Sequence, residues 1–74
     1  MKEIRKVHIT KEICHIFNLP CVTGVYKGLD GNPLYNVKVT WLNGRPLGQK
    51  VTYVAKIGDM LIEYVDGTWE LKRD

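Results

Sequence analysis

LYNVKVTWLNGRPLGQKVTYVAKI, residues 34–57, is the stretch on which the fold turns. In its first half Tyr35, Val37, Val39 and Trp41 point one way, and Asn36, Lys38 and Thr40 the other. Successive side chains of a strand stand on opposite faces, so this period of two marks a half-buried strand. NGRPLG, Asn43–Gly48, has the composition of a reversal, since Asn and Gly tolerate positive φ and Pro cannot donate to a ladder. After it Val51, Tyr53, Ala55 and Ile57 share one face, with Lys50, Thr52 and Lys56 on the other. Val54 breaks that polar row.

The pattern continues on both sides. Gly58-Asp59 has the composition of a two-residue type II′ hairpin turn, and Asp66-Gly67 that of a type I′ turn. Between them MLIEYV is apolar on both faces (Met60, Ile62 and Tyr64; Leu61 and Val65), which makes it the strand expected to be most buried. TWELK follows with Trp69 and Leu71 inward. Upstream, CVTGVYKG reads as a strand bulged at Gly24, and LDGNP, Leu29–Pro33, as a turn. Only Val7–Asn18 carries a helical signature, with Thr10 as N-cap, Glu12 in the first turn, and Ile13, Ile16 and Phe17 three and four apart. Pro20 restricts the residue before it and stops that helix. Lys2–His8 alternates weakly, as an opening strand or an irregular lead-in. The expected fold is α+β, mostly β: one short N-terminal helix and a five-stranded antiparallel meander, curled into a small SH3-like or other small barrel. Such a sheet must cover its apolar face by curling, by taking the helix as a lid, or by pairing with another copy.

Length and composition bound the rest. The 74 residues make a single small domain, residues 1–74, with 45% hydrophobic and 26% charged residues, too apolar for a disordered chain. The longest apolar run is Met60–Ile62, far short of a membrane span, and the first residues mix charge into apolar positions, unlike a signal peptide. Two cysteines, Cys14 and Cys21, are too few for a disulfide scaffold, so the cytoplasm is the expected compartment. The net charge of +3 is uneven: Lys2, Arg5, Lys6 and Lys11 face only Glu3 at one end, while Asp59, Glu63, Asp66, Glu70 and Asp74 outweigh Lys72 and Arg73 at the other. Such a chain suits a polyanion, or folds its two ends side by side.

The residues offer little for catalysis. His8, Cys14, His15 and Cys21 are the candidate metal ligands, but zinc sites bring cysteines in close pairs, and Cys14 and Cys21 stand apart. On a helix Cys14 and His15 point about 100° apart, which suits neither a shared ion nor a nucleophile and its base. Both cysteines are therefore expected reduced and metal-free. Serine is absent, and Asp59, Glu63, Asp66 and Glu70 read as a solvated face. No enzyme, cofactor or small-molecule substrate is expected.

Binding is the remaining class. Lys38, Lys50 and Lys56 lie on the polar faces of two strands, with Arg45 in the turn between and Lys27 on the preceding strand, a basic stripe able to contact phosphates. Single-strand binders add exposed aromatics for base stacking, whereas Tyr35, Trp41, Tyr53 and Trp69 fall on apolar faces and leave only Tyr26. VKVTWLNGRPLG followed by GDMLIEYV resembles the opening strands of Sm-like RNA-binding proteins, where an L-x-N-G-R-x-x-x-G type turn leads to a D-x-x-x-N-x-x-L segment. The resemblance covers about half the chain and implies shared barrel turn chemistry. The asparagine of that pocket and the closing Arg-Gly are missing, so no binding residue carries over. The first expectation is a non-enzymatic binding module or small regulator acting through a protein interface, with Tyr26, Leu61 and Val65 as candidate contacts. Its partner would be another protein or a second copy of itself, with no membrane involved. Nucleic-acid binding by the basic strand face is the alternative.

Overall fold

A computed structural model describes residues 2–12 and 16–73. Six strands form: β1 (Glu3–His8), β2 (Val22–Lys27), β3 (Pro33–Leu42), β4 (Arg45–Lys56), β5 (Met60–Tyr64) and β6 (Trp69–Lys72). The stretch that opened the sequence reading supplies the hub, because β3 has three partners. Along one edge it pairs antiparallel with β4. Along the other it pairs first with β2, antiparallel, with Val25 opposite Tyr35 and Tyr26 opposite Leu34. Past the end of β2 the same edge takes β6, now parallel, through Trp41 with Glu70 and Leu42 with Leu71. β5 lies antiparallel between β6 and β1.

Two three-stranded layers result, β2–β3–β4 and β1–β5–β6, and their inner faces meet in one core. Tyr35, Val37, Val39 and Ala55 come from the first, and Leu61, Trp69 and Leu71 from the second. Ile9, Ile16, Leu19 and Cys21, from the segment between β1 and β2, fill the remaining side. Burying side chains of this size contributes about 1.5–3 kcal/mol each before the entropy of ordering is set against it.

Turn chemistry explains the hairpins. Asn43 and Gly44 have φ of 49° and 82°, so the β3–β4 reversal is a two-residue turn with both residues at positive φ, the requirement of type I′. The β2–β3 and β5–β6 loops share a different device. In each an Asp-Gly pair follows an apolar residue, and the glycine N–H closes a turn onto the carbonyl three residues back, Gly31 to Gly28 and Gly67 to Tyr64. The glycines sit at φ of 84° and 86°, the left-handed position of a three-residue loop with a bulge. Asp30 then accepts from the Asn32 N–H and Asp66 from the Thr68 N–H, both at 3.0 Å. Backbone and side-chain hydrogen bonds from Asn32 hold the Asp30 carboxyl, and the Thr68 hydroxyl and N–H hold the Asp66 carboxyl, below the ordinary aspartate range.

Several expectations are corrected. The strands expected from Tyr35 to Lys72 form, and Gly24 marks a register shift in β2, yet the chain is not a meander. β4 and β5 do not pair, and the sheet of six strands does not close into a barrel. The cause lies at Gly58-Asp59, where no hairpin forms. The Asp59 carboxylate turns back to accept from the Lys56 N–H at 3.1 Å, and the Ile9 N–H and carbonyl engage Asp59 and Gly58. β4 and β5 therefore part company, and β5 runs on to β1. Asp66-Gly67 does form a hairpin, with a three-residue loop in place of the two-residue type I′ turn. The helix expected within Val7–Asn18 is corrected where the chain is described: Val7 and His8 belong to β1 and residues 9–12 are not helical, while residues 13–15 lie outside the described residues. Among the described ones only Ile16 and Phe17 are helical in conformation, although Thr10 does accept from the Glu12 N–H at 3.3 Å.

The carboxylates correct the solvated-face reading. Asp59 and Glu70 are 1% and 2% exposed. Glu70 accepts from the Gly44 N–H at 2.5 Å and from the Tyr64 hydroxyl. Beside it the Asn43 N–H donates to the Leu71 carbonyl at 3.0 Å, and the Arg73 N–H to the Asn43 side-chain oxygen at 2.8 Å. The tip of the β3–β4 hairpin is thus sewn to β6.

Two outcomes follow in unfolding experiments. Glu70→Leu takes the acceptor from two part-buried donors, the Gly44 N–H and the Tyr64 hydroxyl, and should cost about 2 kcal/mol in urea unfolding, with Glu70→Gln, which keeps an acceptor, costing less. Burial pushes the Cys21 thiol from 9.0 up to about 12, and burial with the Glu70 hydrogen bond pushes the Tyr64 phenol from 10.0 to about 12. The folded chain thus keeps protons that the unfolded chain loses first. Their stabilisation is complete below pH 9 and is lost as pH rises through about 12, read as a falling urea midpoint.

Candidate binding face

Register defines the outer face of β2–β3–β4. Partners across an antiparallel ladder share a face, so Tyr26, Leu34 and Lys56 form one row across the three strands. Gly24, Asn36 and Val54 form the next, and Lys38 and Thr52 the third. Lys50 lies in the irregular stretch of β4 just before Val51 and lines one cleft with Lys38 and Thr40. The alternate positions, Val25, Tyr35 and Ala55 among them, turn to the core.

The structure therefore brings together Lys38, Lys50 and Lys56, three of the five expected phosphate-contacting residues. The other two separate from them. Lys27 pairs with Pro33 in the inward-facing row and leaves the stripe at the end of its strand, although it remains exposed. Arg45 is the first residue of β4, opposite Leu42 at the hairpin tip, beyond a register shift between Val39 and Trp41. The reversal is shorter than expected because Asn43-Gly44 alone completes it.

The lysines are not equivalent. Lys56 places its ammonium 3.3 Å from an Asp59 carboxylate oxygen. No ion pair joins Lys38 or Lys50 among the described residues. Amid these charges lies an apolar strip: Tyr26 is 44% and Val54 42% exposed, with Leu34 half-buried beside Tyr26 in the same row. Of the expected protein contacts, Tyr26 belongs to this strip. Val65 is exposed at the β5–β6 turn, in the other layer. Leu61 is a correction: it is fully buried, because pairing β5 between β1 and β6 turns it into the shared core. The sequence did signal Val54, as the apolar break in a polar row, while Leu34 emerges only from its partners Tyr26 and Lys56.

Elsewhere the Tyr35 hydroxyl is buried without a hydrogen-bond partner among the described residues, while several charged and aromatic groups are engaged. Glu63 accepts from Arg5 at 2.7 Å, and that guanidinium also lies 5.4 Å from the Trp69 ring centroid. Trp41 packs on Tyr64 with ring centroids 5.9 Å apart. Cys21 is a free, buried thiol that its raised pKa keeps protonated. Cys14 and His15, the other half of the considered metal set, lie outside the described residues. Among the described residues no three His, Cys, Asp or Glu side chains converge, and no helix is long and apolar enough to cross a membrane.

Charge reversal sorts the lysines. Lys38→Glu and Lys50→Glu should each change stability by about 0.5 kcal/mol or less in urea unfolding, as at unpaired surface sites. Lys56→Glu places a second negative charge beside buried Asp59 and should destabilise by about 1 kcal/mol or more. No family model, curated protein or solved structure matches this chain.

Proposed function

We propose that this chain is a non-enzymatic binding module that docks a partner protein through the outer face of β2–β3–β4. The observation that carries the reading is the exposed strip of Tyr26 and Val54, set in a lysine-bearing face that the core does not use. Apolar groups that remain open on a sheet with a completed core gain most from burial against a second surface. Lysines around them favour a partner whose facing rim is acidic, and they set encounter rate and orientation more than affinity. Tyrosine suits the centre of such a contact, since it buries large area with few rotatable bonds. A second copy of this chain is a weaker fit, because two faces carrying Lys38, Lys50 and Lys56 would repel.

A second reading is favoured by the two lysines that no carboxylate neutralises. Lys38 and Lys50 on one flat face could follow the phosphates of a nucleic acid, with Tyr26 as a single stacking platform. Basic charge is present in both readings. The apolar strip separates them.

A photo-crosslinking residue at Val54, introduced into the protein in its native cells, should yield one discrete protein adduct. Tyr26→Asp should remove that adduct, and the same crosslinker at exposed Lys72 should not give it. Adducts that nuclease digests, with no discrete protein band, would transfer the conclusion to nucleic acid. Equal labelling at Val54 and Lys72 would defeat the docking reading.

A further inference from the structure

From a shallow cleft at the edge of this face we infer that Lys38, Lys50 and Thr40 form a site for a tetrahedral oxyanion, the phosphate group of a phosphoester. The cleft has a volume of about 120 Å³ and lies where β3 changes partner from β2 to β6, so β3, β4 and the β5–β6 loop all reach it. Lys38 and Lys50 line it together with Thr40, Thr68, Pro20 and Trp69. Lys38 pairs with Thr52 on the regular ladder, and Lys50, in the irregular stretch just before Val51, reaches the same cleft, so two long side chains border one small space.

Four features point to an anion. No carboxylate lines the cleft, and neither lysine has an ion pair among the described residues. Cys21, which also lines it, stays a neutral thiol because burial raises its pKa, so it does not compensate the charge. The acids adjacent in sequence to lining residues are already engaged, Asp66 by the Thr68 N–H and hydroxyl at 3.0 and 2.6 Å, and Glu70 by the Gly44 N–H and the Tyr64 hydroxyl. Finally, the Thr40 hydroxyl is buried with no hydrogen-bond partner. An oxyanion supplies the acceptor that this donor lacks, and two ammonium groups converging on it make charge-assisted hydrogen bonds. The Thr40 oxygen is covered, so binding requires a side-chain shift at the cleft mouth.

This site deepens the nucleic-acid reading and rests on it for the source of the phosphate. The site itself is tested separately. Thermal melting of the full chain is followed in rising inorganic phosphate, with ionic strength held constant by sodium chloride. Tm should climb with phosphate, as binding to the folded state requires. Lys38→Gln and Lys50→Gln should each weaken phosphate about tenfold, the effect of one charge-assisted hydrogen bond. Thr40→Val should shrink the phosphate-induced shift without lowering the phosphate-free Tm, since it removes an unpartnered hydroxyl. Lys72→Gln, the same charge change on an exposed residue of β6, should leave phosphate binding intact. No shift beyond that of chloride, or equal losses in the Lys72 and Lys38 variants, would overturn the site. In a second arm, a single-stranded oligonucleotide that displaces phosphate supports both the site and the nucleic-acid reading. Phosphate binding with no competition from the oligonucleotide keeps the site and removes that reading.

Discussion

The two layers of this protein are held in register by the Glu70 carboxylate. It accepts from the backbone of Gly44, at the tip of one hairpin, and from the Tyr64 hydroxyl, next to the bend of the other. The β3–β6 ladder that joins the layers is only two residue pairs long, so it could not fix their angle alone. A buried carboxylate is expensive to desolvate and persists where charge-assisted hydrogen bonds offset that cost. The Asn43 and Arg73 bonds along the same seam extend it. With the seam in place, Tyr35, Val37 and Val39 meet Leu61, Trp69 and Leu71, and the core becomes continuous.

From that seam follows the character of the outer face. β3 is shared between layers, and its inward residues are committed to the core, so its outward residues face away from it, exposed Lys38 among them. Lys38 and Thr40 therefore stand at the point where β2 ends and β6 begins, with a cleft between layers beside them. The apolar strip of Tyr26 and Val54 occupies the far end of the same face. The proposed docking strip and the proposed anion site thus share one surface. Cys21 keeps its proton, and Asp59 and Glu70 accept from backbone N–H groups.

The free edges are managed as well. β1 carries Glu3, Arg5 and Lys6, β2 is interrupted by a register shift at Gly24, and β4 bears Pro46 and an irregular stretch before Val51. Charge, bulge and proline each discourage edge-to-edge growth. Arg73 adds a covering contact on β4, donating to the Val54 carbonyl at 3.2 Å with its guanidinium 5.2 Å from the Tyr53 ring centroid.

Local chemistry was legible in the sequence. Period-two runs located the later strands, Asn43-Gly44 and the two Asp-Gly pairs located reversals, and Gly24 announced a bulge, because these depend on steric preferences of residues close in the chain. The outward lysines of β3 and β4 were legible for the same reason. Tertiary structure alone decided which strands pair. Gly58-Asp59 looks like a hairpin turn, yet the Asp59 side chain bonds backward and sends β5 to β1, an outcome that needs Ile9 from the other end of the chain. It likewise decided that Leu61 is core and Glu70 is buried. A period of two says that two faces differ, but which face meets another layer depends on contacts between residues far apart in sequence, and these form only when the whole chain has collapsed.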